Sequence, residues 1–139
     1  MDRWDGYVTA RERLTRHLGR EQVSNPIILT GDIHSNWVAD VKESFQDPES
    51  ASVAAEFVGT SISSGGDGRD SAEALPAIQR LNPHIHHFDA RRGYVALEVG
   101  TDTLTANYRR VPFVTEPGAP VETAARFVVE DGVRGTRRA

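Results

Sequence analysis

The run Gly31-Asp32-Ile33-His34 places a carboxylate and an imidazole two residues apart. In extended backbone, residues at that spacing point to the same side. Asp32 and His34 are therefore expected to project together while Ile33 turns back toward a core. Gly31 lets the chain turn or pass closely with no side chain in the way. A carboxylate beside an imidazole suits a mid-series divalent or ferric ion, or a pair of such ions. The chemistry would be polarisation of a phosphoryl oxygen and activation of water. A bare Asp-x-His is common, and taken alone it reads more readily as Asp32 capping the next turn and His34 as an ordinary loop residue. Two ligands also do not complete a site, since a metal fills at least four positions, some of them with water. The chain has no cysteine, which excludes disulfides and thiolate ligands and leaves oxygen and imidazole donors.

Other candidates carry less chemistry. His84, His86 and His87 surround a predicted strand, with His84 and His86 on one face. Zinc is one reading; a partly solvated strand face explains them with fewer assumptions. Ser61 to Gly68 is rich in Ser and Gly, and successive N–H groups in such a loop can cradle an anion. It lacks the Gly-Lys-Ser/Thr ending of a phosphate-binding loop and opens no clear helix, so it is read as a loop near the site. Asn36, just past the Asp-x-His run, is placed to orient a neighbouring group, and Trp37 to pack.

The elements that must position these residues follow from the pattern. Tyr7, Ala10, Leu14 and Leu18 recur at helical steps and predict a helix over 5–19, with Asp5 as N-cap and Gly19 as terminator. His17 in its last turn faces the negative end of the helix dipole. After the break at Ser24-Asn25-Pro26, Ile27-Ile28-Leu29-Thr30 reads as a short strand buried on both faces. It runs straight into Gly31, and loops at the carboxyl ends of such strands usually form the site. Strands are predicted at 37–41 and 53–58, and a short helix at 71–80 with Ser71 as N-cap. A meander is predicted from 85–88, 94–99 and 104–111, with 126–129 as a further strand. One leading helix covers little of so apolar a sheet, so a further partner for it is expected.

The 139 residues suffice for one domain, with 38% hydrophobic and 26% charged residues, a globular balance. The net charge of −4 does not favour nucleic acid, and Arg134, Arg137 and Arg138 read as a solvated tail rather than a binding patch. No apolar run reaches the length of a membrane helix. Met1 to Asp5 contains no basic segment leading into an apolar one, so no signal peptide is expected and the chain as written would remain in the cytoplasm.

Four segments carry a family resemblance. The run Leu29-Thr30-Gly31-Asp32-Ile33-His34-Ser35-Asn36-Trp37 resembles the last motif of the alkaline phosphatase D (PhoD-like) family of metallophosphoesterases. Similar to that family in the same order are Glu56-Phe57-Val58-Gly59-Thr60-Ser61-Ile62-Ser63-Ser64-Gly65-Gly66, and Asn82-Pro83-His84-Ile85 with Phe88-Asp89 and Arg92-Gly93-Tyr94-Val95. Asp2-Arg3-Trp4-Asp5-Gly6-Tyr7 resembles the helix preceding the motif.

The resemblance implies an α/β fold: part of a calcineurin-like metallophosphoesterase sandwich of mixed sheets flanked by helices. Residues 1–139 would form a single C-terminal fragment of the phosphatase domain. It implies hydrolysis of phosphate monoesters and diesters with iron and calcium, and it matches Asp32 and His34 to the last two protein ligands. The family's earlier ligands, a cysteine among them, have no counterpart here. Three states follow: part of a complete enzyme, an inactive fragment or interaction module, or half of a split enzyme whose other half is supplied elsewhere. Self-association through an uncovered apolar surface is expected if the chain folds alone. Family members are typically exported, in tension with the missing signal.

Overall fold

The structure is a computed structural model, and it describes residues 4–20 and 23–139. Asp2 and Arg3 of the opening segment lie outside the described residues.

A 3-10 turn at Trp4–Gly6 leads into helix α1, Val8–Gly19. Gly19 ends the helix as expected, but Asp5 is not its N-cap. That position is Tyr7, whose side chain makes no capping bond, while Asp5 accepts from Arg11 Nη1 at 3.0 Å. The apolar stripe is covered only at its end, where Leu18 packs against Val41, Val53 and Ala54. Tyr7 and Leu14 are exposed, and Thr15 also seats the helix, its Oγ1 donating to the Glu43 carbonyl at 2.9 Å.

Strands β1 (Ile27–Thr30), β2 (Asn36–Lys42), β3 (Ser52–Val58) and β4 (Ile85–Asp89) form the first sheet, in the order β1-β3-β2-β4. β1 runs parallel to β3, and β2 is antiparallel to both β3 and β4. The expectation that β1 is buried on both faces is wrong. It is an edge strand, and Leu29 is 58% exposed. Its continuous apolar run resembles that of a central strand, and sequence alone does not show whether a neighbour flanks it.

The segment at 71–80 is a 3-10 turn, Ala72–Ala74, followed by helix α2, Leu75–Leu81. Ser71 makes no capping bond; its Oγ instead accepts from Ala90 N at 2.8 Å, across the connection that leaves β4.

The second sheet is a meander of β5 (Arg92–Val99), β6 (Thr103–Val111), β7 (Glu122–Glu130) and the two-residue β8 (Arg137–Arg138). β4 is not its first strand, contrary to the sequence reading, because it pairs with β2 in the other sheet. The last arginines are no free tail. Arg137 pairs with Val128 and Arg138 with Phe127, and Arg134 donates to the carbonyls of Leu18 and Arg20.

The two sheets pack face to face. Val38, Ala55 and Phe57 from the first meet Ala106, Tyr108, Ala125, Phe127 and Val129 from the second in one buried cluster. A smaller cluster of Val41, Val53 and Ala54 receives Leu18 of α1 and Ile28. The layers are therefore sheet, sheet and helix. Among the described residues no helix is long and apolar enough to cross a membrane.

Candidate metal centre

Because β1 and β3 are parallel, with Thr30 opposite Val58, the loops that follow them leave the same end of the sheet. Gly59 N donates to the Thr30 carbonyl at 2.9 Å and ties the two exits together. This is the edge where an α/β sheet usually places its chemistry.

The loop after β1 is not extended. Asp32 has φ 70° and His34 φ 56°, and Ile33 N donates to the Gly31 carbonyl at 2.8 Å. The same-side argument from extended backbone is therefore wrong in its geometry. Ile33 is 47% exposed rather than turned into the core. Two residues other than glycine in the left-handed region within one tripeptide are costly, and such strain gathers at functional loops. Asp32 and His34 are both exposed, and neither side chain makes a hydrogen bond or ion pair to a described residue. A carboxylate and an imidazole with unspent lone pairs fit the donor chemistry of a metal site. They are too few for a whole one. Among the described residues no group of three or more His, Asp or Glu is placed to share an ion.

The floor of the loop is built by Asn36, 1% exposed, whose Oδ1 accepts from Thr60 N at 3.1 Å. Its Nδ2 and Thr60 Oγ1 are buried without hydrogen-bond partners among the described residues. Ser35 Oγ accepts from Trp37 Nε1 at 2.7 Å, and Trp37 lies against Phe88 with ring centroids 4.2 Å apart. Trp37 packs, as its place in the sequence suggested.

The Ser61–Gly68 loop does lie beside this site. The carbonyls of Gly65 and Gly66 face Arg92, accepting from Nη2 at 3.2 Å and Nε at 2.8 Å. Arg92 Nη1 also donates to the His34 carbonyl at 2.7 Å. A carbonyl-lined turn around a cation differs from a nest of N–H groups around an anion. Asp67 closes the loop from outside, its Oδ1 accepting from Val114 N at 2.7 Å and Thr115 N at 3.0 Å. Those amides, chiefly that of Val114, hold its carboxyl below the usual range. Neither Arg92 nor Asp67 is conspicuous in the sequence. The one available signal is an arginine doublet run into Gly93, where a Cβ would stand 1.9 Å from the Arg109 carbonyl.

The three later histidines separate. His86 Nε2 sits 3.0 Å from Asp40 Oδ2, and His84 meets the Phe45 ring edge-on. Burial raises the Asp40 carboxyl, but His86 and the bonds from Thr136 outweigh it and leave it lowered. His87 points the other way, into the core, where burial pushes its pKa down to about 4. A groove of about 720 Å³ runs between α1, α2 and the outer face of the first sheet, past Leu14, Ile28, Phe45 and Leu81. Asp32 and His34 do not line it.

A sheet-end loop presenting carboxylate and imidazole, in a two-sheet α/β fold, has counterparts among known proteins. The family model for PhoD-like phosphatase matches residues 1–108, and the chain belongs to that family. It is 43% identical over 138 residues to alkaline phosphatase D of Bacillus subtilis (strain 168), covering 99% of this chain and 24% of that protein. A solved structure titled "Structure of PhoD" superposes with a TM-score of 0.89 at 41% identity, covering 99% of this chain and 26% of that one. The chain thus spans about a quarter of the length of the relatives it matches.

Proposed function

We propose that this chain carries part of the active site of a metal-dependent phosphatase or phosphodiesterase, with Asp32 and His34 as metal ligands. The observation that carries the reading is the exposed Asp32-Ile33-His34 loop, held in left-handed backbone at the shared exit of β1 and β3 with both donor groups unspent. Family membership supports phosphate-ester hydrolysis as the reaction and a calcineurin-like sandwich as the parent architecture. The resemblance favours iron and calcium as the ions and residues 1–139 as one C-terminal unit of the domain. When bound, such ions supply Lewis acidity toward a phosphoryl oxygen and toward water. The chain's own part is to hold them: Asp32 through carboxylate oxygen, His34 through a ring nitrogen, over a floor that Asn36 and Thr60 keep fixed.

Among the described residues fewer than three ligand residues gather here, and this favours a second reading in which the chain alone is inactive and its site is completed by another polypeptide. Mixing it with the part of alkaline phosphatase D that it does not cover, and assaying a chromogenic phosphodiester, tests both. Hydrolysis is expected only in the mixture, and Asp32→Ala or His34→Ala should lower it more than about 100-fold. Equal rates for the variants would sink the ligand assignment. Tight stoichiometric metal binding with turnover by the isolated chain would remove the second reading.

A further inference from the structure

We infer that Arg92 is a positioning residue that locks the His34 peptide, and with it the imidazole, in the ligand-presenting conformation; this rests on the metal-site reading above. Arg92 is only 6% exposed, yet none of its acceptors is a carboxylate. Its donors go to four carbonyls: His34 at 2.7 Å, Gly66 at 2.8 Å, Gly65 at 3.2 Å and Ala90 at 3.4 Å. A buried guanidinium spent wholly on backbone is unusual, since its planar fork is best matched by carboxylate or phosphate. Here the fork ties three separate segments: the loop after β1, the Ser61–Gly68 loop, and the connection from β4 into β5.

The geometry makes the tie specific. His34 sits at φ 56°, a conformation its own backbone does not favour, so an external restraint on its peptide has something to hold. Gly65, at φ 82°, passes so close that a Cβ there would stand 3.0 Å from Arg92 Nη2 and 3.8 Å from His34 Nδ1. Guanidinium, glycine turn and imidazole are therefore mutually adjacent. Fixing the His34 carbonyl fixes the plane of the peptide that follows, and the side chain leaves the backbone in one direction. A lysine offers a point charge rather than a fork and cannot span the three segments at once.

The test uses the 139-residue chain with manganese(II) alone as probe. Two signals are followed by NMR: amide order parameters over residues 32–35 and 64–66, and manganese broadening of the His34 ring proton. Arg92→Met is expected to lower the order parameters of both loops and weaken apparent manganese affinity about 10–100-fold. Arg92→Lys should recover neither fully. Gly65→Ala, which leaves Arg92 in place but crowds the guanidinium, should reproduce both effects and serves if Arg92→Met does not fold. Phe127→Leu, a core change remote from the loops, should lower stability and leave both signals alone. Unchanged loops in Arg92→Met and Gly65→Ala, or full recovery with lysine, overturn the inference. If the native chain shows no broadening at His34, two ligands alone do not hold the probe, and the order parameters decide whether Arg92 holds the loop; the metal-site reading is then judged by the Asp32 and His34 variants in the complemented mixture.

Discussion

Tyr108 Oη donates to the carbonyl oxygen of Trp37 at 2.7 Å, a hydrogen bond from the second sheet to the first made by a side chain with no solvent exposure. Burial pushes the phenol pKa up, so it stays a donor at any ordinary pH. The bond joins the core to the strand that leaves the Asp32–His34 loop. Tyr108→Phe keeps the ring and removes the donor. We expect a loss of about 1–2 kcal/mol, read as a lowered urea midpoint at unchanged slope. A variant as stable as the parent would show that the phenol contributes only its ring.

His87 gives the pH dependence. Its ring packs against those of Tyr108 and Phe127, with Asp89, Arg110 and Arg138 as the charges that face it. Burial holds the folded pKa near 4, below the ordinary 6.5. Between these values the unfolded chain binds the extra proton, so stability is full above pH 6.5 and falls as pH drops toward 4. The span corresponds to about 3 kcal/mol at most. Asp89 acts lower: burial raises it, but its bonds from Arg110 and Arg91 leave it net below 3.8, so its share is lost only in more acid solution. Urea titrations from pH 7 to 4 should show the slope, and His87→Phe should flatten it. A slope retained in the variant would assign the effect elsewhere.

The strained loop makes an opposite prediction for stability and binding. His34→Gly relieves a φ of 56° and should stabilise the chain by about 1 kcal/mol while abolishing manganese broadening at the loop. Asp32→Gly should gain less, because aspartate tolerates the left-handed region better. Thermal melts check both, and a clear loss of stability in either would mean that the side chain is structural after all.

Leu29 on the unpaired edge of β1 is exposed, and that strand carries no charge to discourage pairing. Concentration-dependent association is expected by light scattering, and Leu29→Lys should reduce it without lowering the melting temperature. Association unaffected by the lysine would point instead to the apolar groove beside Leu14 and Leu81.

Much of this was readable in the sequence, though unevenly. Alternation and turn residues located most of the strands because both are local signals. Sheet membership was not local: β4 pairs with β2, more than forty residues earlier in the chain, and nothing between His84 and Asp89 says so. The Asp32–His34 loop was found from residue type, yet its backbone was misjudged because extended geometry does not continue past Thr30. Arg92 was missed since its partners are carbonyls, which have no sequence identity. The helix stripe misled for a related reason. Tyr7, Ala10 and Leu14 have helical spacing whether or not anything covers them, and in this chain Thr15 and Leu18 do the seating.

The carboxylate of Asp40 receives Thr136 N at 2.8 Å, and Gly135 lies against it at a φ of 94°, so the end of the chain closes on a strand 96 positions earlier. A contact of that span is slow to form and is made after more local pairings are in place. It should therefore act chiefly on escape from the folded state. Gly135→Ala, which crowds the Asp40 carboxylate and weakens the closure, is expected to speed unfolding and leave the refolding rate nearly untouched, so that the last residues govern how long the fold persists rather than how it is reached.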